Sequence, residues 1–113
     1  MRWGQVEALF DTGWRWTYMS ESLAREFGYR KFPTPRTVNL AVEGKKAEVI
    51  GDLVANLTIA DCEMPRAHVI EVIKDLKEDL IIGLDLMEGY DIKLDLEKGK
   101  PYLLKCPPEM TLI

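Results

Sequence analysis

The chain has 113 residues, a formal net charge of −4 and a sequence pI near 5.0, enough for one hydrophobic core and too little for two lobes that each hold one. Its 15 basic residues are scattered, so the one-sided basic footprint of a nucleic-acid binder is missing. No apolar run reaches the roughly 18 residues that a membrane helix needs, and no secretory signal is visible, so the expected setting is the cytoplasm, without a membrane partner.

The first predicted element is the strand VEALF (6–10), which runs directly into Asp11-Thr12-Gly13. These three are ordinary turn residues, and Asp readily hydrogen-bonds its own backbone two residues on. Taken alone, the tripeptide does not distinguish turn chemistry from a catalytic carboxylate. RWTYM (15–19) reads as a second strand that places Trp14, Trp16 and Tyr18 on one face, as core or subunit contact. SESLAREFGY follows as a short helix, with Ser20 as cap, Leu23, Ala24 and Phe27 on one side, and Gly28 just past the end. Pro33 and Pro35 mark a connecting loop.

TVNLAV (37–42) and KAEVIGDLVANLTIA (46–60) are strand-rich and flank Glu43-Gly44-Lys45-Lys46, a polar-tipped hairpin whose Gly supplies positive φ. RAHVIEVI (66–73), DLII (79–82), YDIKLDL (90–96) and PYLLK (101–105) complete the series, and LDLME after Gly83 reads as a second short helix. Many short strands at regular spacing predict an all-β barrel or sandwich, and residues 1–113 form a single predicted domain.

Other residues carry less. Cys62 and Cys106 match no zinc spacing and are too sparse for a disulfide scaffold, so reduced core thiols are expected. His68 lacks a Ser or Cys partner pattern and reads as structural. Asp91 and Asp95 fall on the polar side of their strand, and Asp85 is read as a helix cap.

A second signal joins Asp11-Thr12-Gly13: the apolar strand Leu80-Ile81-Ile82 ending in Gly83-Leu84-Asp85-Leu86. With the Ser20-Glu21-Ser22-Leu23-Ala24 helix start, the AVEG hairpin, Gly51 and YDIKLDLEKGK, the chain resembles the retropepsin-like aspartic proteases, single-domain relatives of the retroviral protease. The resemblance implies an all-β, closed retropepsin barrel with one or two short helices. It also implies a homodimer that hydrolyses peptide or protein substrates without metal or cofactor. In that reading Asp11, Thr12 and Gly13 form the catalytic loop, one Asp per chain meeting its copy at a two-fold axis. Thr12 would hydrogen-bond across that axis, and Ile81, Ile82 and Gly83 would pack behind the loop. Trp14, Val42, Glu43 and Gly44 would contact substrate, the last three on a flap.

The sequence departs from the family pattern at Trp14, where relatives usually carry Ala or Ser, and near Met1, where relatives usually have a further strand. The alternative left open by Trp14 is a catalytically silent dimerisation or peptide-binding module of the same fold.

Overall fold

A computed structural model describes residues 6–39 and 44–109. Ten strands and two helices alternate along them: β1 (Ala8–Phe10), β2 (Tyr18–Ser20), α1 (Glu21–Phe27), β3 (Arg30–Asn39), β4 (Lys46–Ala55), β5 (Thr58–Ile59), β6 (Cys62–Glu63), β7 (His68–Ile73), β8 (Leu80–Ile82), α2 (Leu84–Gly89), β9 (Ile92–Asp95) and β10 (Lys100–Leu103). Six strands form one sheet in the order β1-β8-β2-β7-β4-β3, and β5–β6 and β9–β10 are separate two-stranded ribbons. The architecture is the mostly-β one expected. Among the described residues the sheet is open, with β1 and β3 at its ends, so these ladders do not close the predicted barrel.

Local chemistry sets the helix boundaries where the sequence places them. The Ser20 hydroxyl accepts from Leu23 N–H, and Gly28, at φ 83°, ends α1 with its N–H on the Ala24 carbonyl. This side-chain cap satisfies one of the orphan donors of the first turn. α2 begins directly after Gly83, as the LDLME pattern predicts.

Two strands differ from expectation. β3 starts at Arg30 and runs through Pro33 and Pro35, the stretch read as a loop. The reason lies in its position. β3 is the sheet's edge, where a missing N–H need not break a ladder, and its pairing with β4 skips between Lys31 and Arg36 across the prolines. β2 starts at Tyr18, so Arg15, Trp16 and Thr17 belong to a loop. Trp16 is accordingly 52 % exposed and does not share a buried face with Tyr18.

Two apolar clusters lie against the sheet. The larger joins Met19, Ile50, Leu53, Ile70, Val72, Leu80 and Ile82 to Leu86 and Met87 of α2. The smaller contains Tyr18, Val49 and Ile73, with Trp14, Phe32, Val38, Ala47 and Leu76 packed around them. Alternation along β7 explains the split, since Ile70 and Val72 face one cluster and Ile73 the other. A bulge in β4, where the register shifts between Val49 and Gly51, bends the strand between the two.

The cysteines correct the sequence reading. Cys62 and Cys106 are joined in a disulfide that ties the β5–β6 ribbon to the segment after β10. Spacing could not reveal this, because the two residues meet only through the packing of two ribbons. Among the described residues, no helix is long and apolar enough to cross a membrane.

Candidate active site

The Asp11 loop is built on a parallel strand pair. β1 and β8 run side by side with Phe10 opposite Ile82, and Asp11 extends the pairing by one bond, its N–H donating to the Ile82 carbonyl at 3.1 Å. The chain then turns. Trp14 N–H donates to the Asp11 carbonyl at 3.2 Å, and Gly13 N–H donates to Asp11 Oδ1 at 2.8 Å. The tripeptide is therefore a turn in the ordinary sense, with the Asp side chain mimicking a backbone acceptor. The same bond aims the carboxylate. Asp11 is half-buried, whereas Thr12 and Gly13 are exposed.

The loop is clasped from behind by the start of α2. Trp14 and Arg15 offer their carbonyls to the N–H groups of Leu84 and Asp85, at 2.8 and 3.0 Å. Two first-turn donors of α2 are thus satisfied by the Asp11 loop itself. Thr17, 3 % exposed, completes the clasp: its hydroxyl accepts from Gly83 N–H at 3.1 Å and donates to Asp85 Oδ1 at 2.8 Å. Gly83 is required by space, since a Cβ there would sit 2.2 Å from the Trp16 carbonyl oxygen.

This geometry revises the role of Asp85. α2 has no side-chain cap at its N-terminus, and Asp85 lies one residue inside the helix, where it holds the Thr17 hydroxyl. The sequence gives no signal for this partnership. Thr17 looks like a strand former, and its partner is 68 residues away.

Trp14 turns sideways from the loop. Its ring meets Tyr18 edge-on, with centroids 5.5 Å apart, and it packs on the smaller apolar cluster together with Val38 and Ala47 of the β3–β4 hairpin. One aromatic residue thereby links the Asp11 loop to the hairpin. Burial pushes the Tyr18 phenol above its ordinary value, and the nearby Glu71 charge adds to the rise.

The hairpin is paired out to Asn39 opposite Lys46. Arg36 of β3 forms an ion pair with Glu71 of β7, reaching across β4. Gly44 follows the tip at φ 77°, exposed, with nothing within 4 Å of the place a Cβ would take. Val42 and Glu43, expected on the same tip, lie outside the described residues. His68 is half-buried and bonded through Nε2 to the Tyr90 hydroxyl, a structural role as expected. Asp95 ends β9 and accepts the N–H groups of Glu97 and Lys98, while Asp91 pairs with Lys93.

The family described as "gag-polyprotein putative aspartyl protease" matches residues 4–89, which includes the Asp11 loop, the hairpin, β8 and α2. DNA damage-inducible protein 1 of Phaeosphaeria nodorum is 33 % identical over 95 residues, covering 83 % of this chain and 21 % of that protein. The chain thus spans about a fifth of that relative's length. The retroviral protease-like domain of Ddi1 from Leishmania major superposes with a TM-score of 0.64 at 22 % identity, over 95 % of this chain and 85 % of that one. An Asp-Thr-Gly turn at the end of a parallel strand pair, clasped by the helix after Ile81-Ile82-Gly83, is thus set in a fold shared with that domain, and the chain belongs to the retropepsin-like aspartic protease family.

Proposed function

We propose that residues 1–113 act as one domain of a homodimeric aspartic endopeptidase, in which the Asp11 carboxylates of two copies meet at a two-fold axis. The observation that supports this most is the Asp11 carboxylate itself, aimed by Gly13 N–H from an exposed turn whose backbone is fixed on both sides. A C2 interface brings identical residues together, so one such turn per chain becomes a pair. Two carboxylates that close share one proton.

In this reading the ionised Asp11 takes a proton from a water molecule as its oxygen bonds to the peptide carbonyl carbon. The protonated Asp11 of the other copy hydrogen-bonds the carbonyl oxygen. Collapse breaks the C–N bond, and the leaving nitrogen takes a proton from a carboxyl group. Thr12, exposed beside the acid, would hold the two loops together across the axis. Trp14, with Val42, Glu43 and Gly44 of the hairpin tip, would line the substrate channel, and the hairpin would close over the bound peptide to exclude water.

Trp14 supports an open site, since its ring is engaged by Tyr18 and the apolar cluster below the hairpin. A cytoplasmic setting belongs to the same proposal. The Cys62–Cys106 bond makes it testable, because disulfides persist in oxidising compartments. Thiol labelling in intact cells tests it: a bonded pair, as in this structure, would count against a cytoplasmic setting, and two free thiols would support it.

The function is tested by incubating a mixed peptide library with the wild type and with Asp11→Asn, and reading products by mass spectrometry. Cleavage by the wild type and none by the variant, with both proteins folded, is the expected result. Equal cleavage by both would contradict the assignment of Asp11.

A further inference from the structure

The loop from Gly13 to Thr17 carries two side chains that the Asp11 chemistry does not use. The carbonyls of Trp14 and Arg15 accept from Leu84 and Asp85 N–H, and the Trp16 carbonyl oxygen lies 2.2 Å from the place a Cβ on Gly83 would take. Three successive peptide units are thus committed to the start of α2. Trp14 packs its ring on Tyr18 and the smaller apolar cluster, and Thr17 is buried. Arg15 and Trp16, between them, remain exposed.

Neither contributes to the core. Trp16 is 52 % exposed and belongs to neither apolar cluster. The Arg15 guanidinium instead lies over the Trp16 ring, its central carbon 5.9 Å from the ring centroid, within the range of a cation–π contact. Arg25, Arg30 and Arg36 each meet a carboxylate. Arg15, like Arg66, meets none among the described residues, and of the two only Arg15 stands on the Asp11 loop. Asp85 touches Arg15 through the backbone, but its carboxylate holds the Thr17 hydroxyl.

This is an arrangement suited to an outside carboxylate. A planar guanidinium matches a carboxylate with two parallel bonds, and a stack on an aromatic face sets its plane beforehand. Because the backbone of Arg15 is fixed on α2, the cation keeps a fixed relation to Asp11. Successive residues of an extended peptide advance about 3.3 Å, so those within three places of a bond held over Asp11 lie within about 10 Å of it. Arg15, four residues on in a folded turn, is placed to reach that stretch. Two copies related by a two-fold axis would present one such cation on each side of the bond.

We propose that Arg15, held against Trp16, is a specificity-determining residue of the Asp11 site and selects peptides that carry Asp or Glu within about three residues of the scissile bond, on either side. The inference rests on the proposed pairing of Asp11 and names the substrate class for it.

The test separates binding from turnover. Its probe is a fluorescein-labelled octapeptide, Gly-Ala-Glu-Val-Phe-Glu-Ala-Gly, with one twin carrying Gln in place of both Glu and another carrying Lys. Anisotropy titrations use the whole chain with Asp11→Asn, so that the peptides stay intact. The Glu peptide should bind about tenfold tighter than its Gln twin and the Lys twin weakest, with the differences shrinking as salt rises. Adding Arg15→Gln should bring the Glu-to-Gln ratio close to one, and Arg15→Lys should keep part of it. Arg15→Glu should turn the preference toward the Lys twin, a reversal that a merely structural residue would not give. A mixed library digested by the unaltered chain and read by mass spectrometry should show the same order among the cleaved peptides. Selective binding without any cleavage would support Arg15 as the selecting residue and contradict the catalytic reading of Asp11. Cleavage with the same profile in Arg15→Gln would do the reverse. Equal affinity for the three peptides, or no saturable binding, would overturn the proposal. So would sedimentation showing that Arg15→Gln separates the dimer, because Arg15 would then serve subunit contact.

Discussion

The loop that carries Asp11 and the hairpin that carries Gly44 are held in opposite ways. The first is fixed by bonds from three separate stretches of chain: β8 through the Ile82 carbonyl, α2 through Leu84 and Asp85, and Thr17 through Gly83 and Asp85. The second is anchored at its base, where β4 also pairs with β7 and Arg36 reaches Glu71, but beyond Glu48 the described residues pair only with each other, and Gly44 is exposed with open space around it. Rigid positioning suits the proposed pairing, in which the carboxylate would meet its copy within hydrogen-bonding distance. A less tightly held segment suits the proposed flap, which would open for a peptide and close over it. Trp14 and Tyr18 share one apolar cluster with Val38 and Ala47, which joins the Asp11 loop to the hairpin.

Substitutions at the two sites should separate stability from turnover. The largest loss of stability is expected for Gly83→Ala. The added methyl would meet the Trp16 and Trp14 carbonyl oxygens at 2.2 and 2.8 Å, and backbone on both sides leaves little room to yield. Overpacking of this kind costs about 1 to 3 kcal/mol and sometimes more, read as a fall in melting temperature. An unchanged melting temperature would show that the clasp is loose.

Thr17→Val comes next. It keeps the shape, but it removes the acceptor of Gly83 N–H and the donor to Asp85 in a buried setting. A buried donor left without its partner costs about 1 to 3 kcal/mol. Peptide turnover should fall as well, since the Asp11 loop loses part of its backing, and Thr17→Ser should restore much of both. Failure of serine to rescue would place the effect in packing and not in the hydroxyl.

These two residues also mark what the sequence could reveal. The β1–Asp-Thr-Gly turn, the Ser20 cap, the Gly28 stop and the helix after Gly83 are local patterns, and each formed where its residues predict. Thr17–Asp85 and Cys62–Cys106 are long-range meetings that no local pattern encodes. The first part of β3, through Pro33 and Pro35, was hidden for a different reason: two prolines argue against a strand unless it is known to lie at the sheet's edge.

A smaller effect follows from His68. Burial holds its pKa below the ordinary 6.5, with Arg66 lowering it further and Asp85 opposing. A base that is harder to protonate when folded contributes stability that is complete above pH 6.5 and is lost as pH falls from there through its lowered folded value. Melting temperature should therefore decline on acidification through this window, and His68→Gln should flatten that part of the curve. An identical pH profile in the variant would assign the decline to other groups.

Gly44→Val should disturb stability least of the four. The residue sits at φ 77° in open space, so the cost is confined to a strained turn, on the order of 1 kcal/mol. Peptide turnover should drop by a larger factor than the melting temperature suggests, because a β-branched residue resists the turn that lets the tip move. Turnover that tracks stability alone would remove the hairpin from the catalytic cycle.

The central claim is that one Asp11 is half of an active site. Its most direct measurement is specific peptidase activity against protein concentration, with sedimentation run on the same samples. Activity per chain should rise with the dimer fraction. Adding excess Asp11→Asn chain should then suppress it, because mixed pairs hold only one ionisable acid. Full activity in a sample that sediments as a monomer, or indifference to the variant chain at concentrations where subunits exchange, would contradict the account.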